Sequence, residues 1–184
     1  MRTPGWLIIR VLFTAWLLLT AAILRPAEAG TPNLVPRAYL PLVTKSPVPT
    51  PTPLLNFEQQ VIGLINRERA AWGLAPLHVD DRLMRVAQRH SQDMAANNFV
   101  SHIGSDGSSP WDRIRREDYP LAAGGETIAA GYPDPSSVVA GWKGSLPHWS
   151  ILMGEYQDIG VGYAFNASSY FRHYWTADLA VPAP

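Results

Sequence analysis

Asp158-Ile-Gly-Val-Gly-Tyr-Ala-Phe165, a polar link Asn166-Ala-Ser-Ser169, then Tyr170-Phe-Arg-His-Tyr-Trp-Thr-Ala177 is the stretch that decides the fold class. Ile159, Val161, Tyr163 and Phe165 alternate with Gly160, Gly162 and Ala164, and the second run alternates in the same way. A period of two on both sides of a short polar segment reads as a β-hairpin. Upstream, the apolar residues recur at helical spacing instead. Phe57, Val61, Leu64, Ile65 and Trp72 follow Asn56, which with Gln59 fits a capping box, and Gly73 stops the helix. A second helix starts near Asp80 or Asp81, carries Leu83, Val86, Ala87, His90 and Met94, and closes at Asn97-Asn98. Ser109-Pro110 and Asp134-Pro135 each pair an N-cap with proline at the first helical position, opening two shorter helices. The first holds Trp111 and Ile114; the second holds Val138, Val139 and Trp142 and ends at Gly144. Helices first and a hairpin last predict the α+β class, an antiparallel sheet packed by helices.

Outward from this core the chain divides into three parts. Val11 to Leu24 is an apolar run behind Arg2 and Arg10, and Ala27-Glu-Ala29 supplies a small-x-small cleavage pattern. Residues 1–29 therefore read as a signal peptide or an N-terminal membrane anchor. Either reading predicts a secreted or surface-tethered protein, with membrane contact only through this segment if it is uncleaved. Residues 30–55 are proline-rich, with Pro47-Val-Pro-Thr-Pro-Thr-Pro53 at their centre, and predict an extended linker. Residues 56–184 are the globular domain, close to the commonest domain size.

Composition excludes several classes. Formal net charge is zero, and the one basic cluster is Arg113-Ile-Arg-Arg116, read as a solvated helix face. A nucleic-acid partner is not expected on that charge balance. The absence of cysteine removes disulfides, thiol catalysis and zinc ribbons, so stability rests on a packed core with 7 Trp, 7 Tyr and 5 Phe. No H-E-x-x-H, G-x-S-x-G, Walker loop or helix-opening G-x-G-x-x-G occurs.

The five histidines differ in setting. His90 lies on the apolar stripe of the second helix and reads as a core residue; His78 falls in an interhelix loop, and His173 on a strand. His102 sits in the glycine-punctuated Phe99-Val-Ser-His-Ile-Gly-Ser-Asp-Gly107, and His148 in Ser145-Leu-Pro-His-Trp149, both read as loops. Glu126 lies in Gly124-Gly-Glu-Thr-Ile-Ala-Ala-Gly131, where glycines leave the backbone open to close approach. Loops on a rigid scaffold are where sites are usually built. Spacing alone does not bring the three together.

Leu64-Ile-Asn-Arg-Glu-Arg69 with Gly73-Leu-Ala-Pro-Leu77, Ala87-Gln-Arg-His-Ser-Gln-Asp-Met94, Phe99-Val-Ser-His102, Gly125-Glu-Thr-Ile128, Pro147-His148 and Asp158-Ile-Gly-Val-Gly162 occur in this order. In this combination the chain resembles the CAP superfamily, the SCP-like domain of cysteine-rich secretory proteins, antigen 5 and plant pathogenesis-related proteins, in its cysteine-free bacterial form. The resemblance implies an α–β–α sandwich with a three-stranded antiparallel sheet between helices. It also implies that His102, Glu126 and His148 line one cleft. The sequence departs from the family at Trp142, which is followed by Lys143-Gly-Ser145 rather than a second glutamate. Pro147 replaces the usual glycine before the histidine, and Thr127 the usual asparagine after the glutamate. Asp158 is the further candidate for the missing carboxylate.

The expected function is a binding module more than an enzyme. His102 and His148 are the candidate metal ligands, since two neutral imidazoles suit Zn²⁺ or another divalent ion with open positions. A small-molecule, lipid or cell-surface ligand is the expected partner. The alternatives are a metal-assisted hydrolase, in which Glu126, His102 and His148 would be the catalytic residues, or a structural, adhesive surface protein without ligand chemistry.

Overall fold

The computed structural model describes residues 56–184; the expected export segment (1–29) and proline-rich linker (30–55) lie outside the described residues. The elements run α1 (Phe57–Ala71), β1 (His78–Val79), α2 (Asp81–Asn97), α3 (Pro110–Arg116), β2 (Leu121–Ala130), α4 (Pro135–Lys143), α5 (Leu146–Leu152), β3 (Asp158–Phe165) and β4 (His173–Pro182). No described helix is long and apolar enough to cross a membrane.

Local chemistry sets the helix ends. The Asn56 side chain accepts from the Gln59 amide, and Asp80 accepts from those of Arg82 and Leu83. Ser109 with Asp112 and Asp134 with Ser137 complete capping boxes ahead of α3 and α4. Asn98 ends α2 at φ 55°, a left-handed conformation that asparagine tolerates. Its side-chain oxygen accepts from the Tyr170 amide and the Tyr174 hydroxyl, tying the helix end to the hairpin.

The sheet order is β1-β3-β4-β2, with β3–β4 and β4–β2 antiparallel and β1–β3 parallel. The expected three-stranded antiparallel sheet is present, and the two-residue β1 adds a fourth strand beside β3, placing His78 in a strand. Within this sheet β2 forms the outer edge opposite β1.

Helices cover both faces. On one, α2 lies directly on β3: a Cβ built at Gly160 would stand 2.0 Å from the Leu83 carbonyl carbon, and one at Gly162 would stand 2.2 Å from that of Ala87. Only glycine permits that approach. On the other face, Val61 and Ile65 of α1 and Val138 and Trp142 of α4 pack with Ile159, Val161, Trp175 and Leu179 in the main core. The buried Arg69 holds the layer's far end, donating to Leu152 O, Gly154 O and Ala75 O, each at 2.9 Å. That clamp fixes the end of α5, the helix that carries His148.

Three expectations shift. Tyr170 and Phe171 belong to the turn, and β4 extends past Ala177 to Pro182. Both faces of β4 are covered, so no change of polarity marks its end. Glu126 lies in the middle of β2, not in a loop. Gly124 and Gly125 are needed there because their Cβ positions would strike Trp111 at 2.7 Å and the Tyr156 hydroxyl at 2.6 Å. His148 lies in α5, where Pro147 occupies the first turn, as proline can.

Candidate functional site

The site forms at the outer edge of β2, where the loop between α2 and α3 meets the strand. Three bonds shape that loop. His90 Nε2 donates to Ser101 O at 2.8 Å, the Ser105 amide donates to Asp93 at 2.8 Å, and Gly104 N donates to Ser108 O at 2.9 Å. These leave His102 projecting with its side chain 49% exposed beside Glu126, whose side chain is 1% exposed.

Glu126 is the hub. Its Oε1 lies 2.6 Å from His102 Nδ1, and its Oε2 accepts from Arg113 Nη2 at 2.5 Å. The other terminal nitrogen of Arg113 donates to His102 O and Ser108 O, both at 3.0 Å, so one guanidinium braces the carboxylate and the loop together. With Nδ1 engaged by the carboxylate, Nε2 is the ring nitrogen of His102 left for a ligand or a proton. A carboxylate behind a histidine fixes the ring's tautomer and orientation.

A cleft of about 440 Å³ opens here, lined by His102, Trp111, Gly124, Glu126, Ile151 and Tyr156 among others. Its polar end is the His102–Glu126 pair; its walls are aromatic and aliphatic. Tyr156 closes part of the strand edge by donating to Gly124 O at 3.2 Å.

His148 is half-buried on α5 and makes no hydrogen bond to His102 or Glu126. Burial first, and the nearby charge of His102 second, lower its pKa from the ordinary histidine value. The two imidazoles are thus in electrostatic range of each other. Asp158 is placed elsewhere: it accepts from the Tyr119 hydroxyl at 2.6 Å and is not among the residues lining the cleft.

Two functional groups are not legible in the sequence pattern. Arg113 falls in a run that reads as a solvated basic face, yet its side chain is 10% exposed and ion-paired to Glu126, while Arg115 and Arg116 do face solvent. Asp178 lies just past the expected strand. It is fully buried and registers directly across from Glu126, so both side chains leave the same sheet face. Burial, then the Glu126 charge, push the Asp178 carboxyl well above the usual carboxylate range, against an opposing effect from Arg113. The carboxyls are close enough to interact, but as placed neither Asp178 oxygen has a partner at hydrogen-bonding distance. A usable signal exists: an acid amid Trp175-Thr-Ala-Asp-Leu-Ala180 is costly to bury and rarely idle.

The donor set bears on a metal. Among the described residues, no three His, Asp or Glu side chains group so as to hold an ion. Both Glu126 oxygens are already taken. The free imidazole nitrogen at the cleft is His102 Nε2, and His148, like Asp158, is not among the residues lining it.

Comparison with known proteins gives the family and the fold. YkwD of Bacillus subtilis, described as uncharacterized, is 33% identical over 132 residues, covering 71% of this chain and 51% of YkwD. The uncharacterized membrane protein YlbC of the same species is 37% identical over 106 residues, 57% of this chain and 31% of YlbC. The chain thus spans about half of one curated relative and under a third of the other. An extracellular protein containing an SCP domain from Bacillus anthracis superimposes with a TM-score of 0.60 at 31% identity, covering 67% of this chain and 39% of that one. An outer surface protein of Borrelia burgdorferi shares the fold, with a TM-score of 0.63 at 20% identity over 70% of this chain and 97% of its own. The sequence pattern of the CAP family, described as the cysteine-rich secretory protein family, matches residues 62–179. The chain belongs to the CAP family, in a form without cysteine.

Proposed function

We propose that the protein is a secreted or surface-held CAP-type binding module, whose cleft takes a small or lipid-like ligand at His102 and His148. One observation carries this reading: a buried Glu126, braced by Arg113, holds His102 Nδ1 and leaves Nε2 directed away from the carboxylate. Such a ring is pre-oriented to coordinate or hydrogen-bond without loss of side-chain freedom on binding. The aromatic and aliphatic walls formed by Trp111, Ile151 and Tyr156 suit an apolar body beside a polar head. The extracellular location draws on the apolar segment at residues 11–24 and on the extracellular SCP protein that the chain resembles.

His102 and His148 would hold a divalent ion, which would supply Lewis acidity to a bound ligand or water. Within this reading the chain's own residues bind and orient. Glu126 keeps the His102 tautomer, Arg113 balances the carboxylate charge, and Tyr156 and Trp111 wall the cleft.

The test is calorimetric Zn²⁺ titration of the protein beside a His102→Ala/His148→Ala double variant. The reading expects saturable binding in the parent, weaker by at least about tenfold in the variant and below about pH 6, where imidazoles protonate. Equal heats in both proteins would remove the two-histidine site.

A further inference from the structure

The cleft beside His102 runs along the free edge of the sheet. β2 is the outermost strand opposite β1, and its consecutive residues Gly124, Gly125 and Glu126 all line the cleft. Glu126 is 4% exposed as a residue but only 1% exposed at its side chain, so most of its exposed surface is main chain.

Register fixes where those main-chain groups point. In an antiparallel pair, successive residues alternate between bonding the neighbouring strand and turning their N–H and C=O away from it. Gly131 N donates to His173 O at 2.9 Å, and the β2–β4 register runs regularly from there back to Ala123. Odd-numbered residues of β2 therefore bond β4, while Gly124, Glu126 and Ile128 point outward. Two side chains agree with this alternation. The Tyr156 hydroxyl donates to Gly124 O at 3.2 Å, and Trp142 Nε1 donates to Ile128 O at 3.1 Å. Between these two caps, among the described residues, no side chain or loop backbone takes up the N–H or C=O of Glu126.

The opposite edge of the sheet is closed by side chains. On β3 the outward N–H and C=O of Tyr163 are both taken by the Gln88 amide, at 3.1 and 2.8 Å, and Val161 N–H donates to Met84 Sδ at 3.2 Å. An open donor–acceptor pair on a sheet edge is a template for another extended chain. A peptide residue placed opposite Glu126 returns one C=O and one N–H, completing the two-bond ring of an antiparallel ladder.

The two faces of the strand say which side chains such a peptide would carry. A Cβ at Gly124 would meet Trp111, and the Glu126 side chain leaves that same face toward His102. A Cβ at Gly125 would meet Tyr156 and Ile151 on the other face. The residue opposite Glu126 shares its face, so its side chain is directed to the His102 and Trp111 side, and those flanking it to Ile151 and Tyr156. A hydroxyl suits the first place, because it can donate to or accept from an imidazole nitrogen. Aliphatic side chains suit the second.

We propose that the open edge at Glu126 binds an extended peptide by antiparallel strand addition, through the Glu126 N–H and C=O, with a hydroxyl-bearing residue facing His102 between two aliphatic ones. This rests on the cleft of the proposed function and needs no metal. The Tyr156 and Trp142 caps hold the added ladder to one two-bond ring, so the bound segment is short.

The test is nitrogen-resolved NMR of the full chain, following the Glu126 amide during titration with acetyl-Leu-Thr-Leu-amide in EDTA. The expected result is a saturable shift of that amide and slower exchange of its proton with solvent. Methylating the threonine nitrogen removes the N–H that Glu126 O would accept, and should weaken binding by at least about tenfold. The parent should prefer this peptide to acetyl-Leu-Val-Leu-amide, and His102→Ala should keep the Glu126 shift while losing the preference. Four results would overturn the proposal: no saturable Glu126 shift, equal affinity for the N-methylated peptide, a threonine preference that survives in His102→Ala, or a Glu126 shift that follows protein concentration without peptide, which would assign the edge to a second copy. Zinc binding alongside any of these would retain the metal reading and strike the peptide. Peptide binding in EDTA with equal zinc heats in parent and double variant would do the reverse.

Discussion

Glu126 on β2 and Asp178 on β4 form a registered cross-strand pair, 4% and 0% exposed, with one guanidinium, that of Arg113, paired to Glu126. Two carboxyls and one nearby cation cannot all be charged at low cost in a buried setting. Glu126 is the acid paired with Arg113 and facing His102. Asp178 is the acid whose pKa burial and the neighbouring Glu126 charge push up.

The first prediction concerns Asp178. Its folded pKa is raised above the unfolded value of 3.8, so the folded state binds the extra proton. The stability this proton contributes is complete below about pH 3.8 and is lost as pH rises toward the folded pKa. Asp178→Asn removes the titration while keeping the side chain's shape. Relative to the parent, the variant should gain stability as pH rises from about 4 toward the folded pKa, by at most about 1.4 kcal/mol per pH unit for one proton. Urea denaturation at several pH values measures it, and parallel curves for the two proteins would refute a protonated Asp178.

Glu126→Gln should be far more damaging than its small change in shape suggests. It leaves the nine-tenths buried Arg113 without its anion and frees the His102 ring. Breaking one side of a buried ion pair costs about 3–5 kcal/mol. Loss of the Glu126 charge also removes one cause of the raised Asp178 pKa and leaves Arg113 lowering it. Asp178 should therefore ionise more readily and recover part of the loss, so adding Asp178→Asn to Glu126→Gln should cost more than it does in the parent. A double-mutant cycle in urea reads that coupling, and simple additivity would show that the two acids are independent.

The glycines of β3 separate packing from backbone freedom. At Gly160 and Gly162 an added methyl would fall inside the backbone of α2, so Gly160→Ala and Gly162→Ala should each destabilise by about 1–3 kcal/mol or more. Gly63, in α1 and exposed with nothing within 4 Å of a built Cβ, should respond oppositely. Gly63→Ala should stabilise by about 0.5–1 kcal/mol through helix propensity. Thermal melts of the three variants check both signs at once.

These contrasts show which features are legible in sequence. Helix starts are readable because their cause is local: Asn56, Asp80, Ser109 and Asp134 each cap within three residues. The hairpin is readable through its period, though the end of β4 is not, because a strand buried on both faces has no polarity boundary. His102 and Glu126 come together only through resemblance, since no local rule joins residues 24 apart. Arg113 defeats the pattern because helical charge runs are normally solvated, and only the tertiary position of Glu126 draws one of the three arginines inward. Pro147 points to a loop at His148, yet proline is compatible with the first turn of α5. Asp158 looks like a substitute carboxylate by position alone, but the Tyr119 hydroxyl engages it away from the cleft.

His90 supplies the last prediction, and it runs against that for Asp178. Burial is the first cause lowering its pKa, so the folded state holds the ring neutral while the unfolded chain takes up a proton below its ordinary value of 6.5. The unfolded state binds more protons in that range, so this contribution is present above about pH 6.5 and lost as pH falls toward the folded pKa. Between those limits the parent should weaken in acid from His90 and strengthen from Asp178, and the two slopes partly cancel. His90→Gln, whose amide can still donate to Ser101 O, removes only the first. Its stability should therefore rise relative to the parent as pH falls from about 6.5 toward the folded pKa, again by at most about 1.4 kcal/mol per pH unit. The Ser101 contact also holds the loop that presents His102. Amide exchange across residues 98–109 in His90→Gln should stay slow if that donor is what fixes the loop. Fast exchange there with an unchanged acid slope would assign His90 a packing role instead of a titrating one.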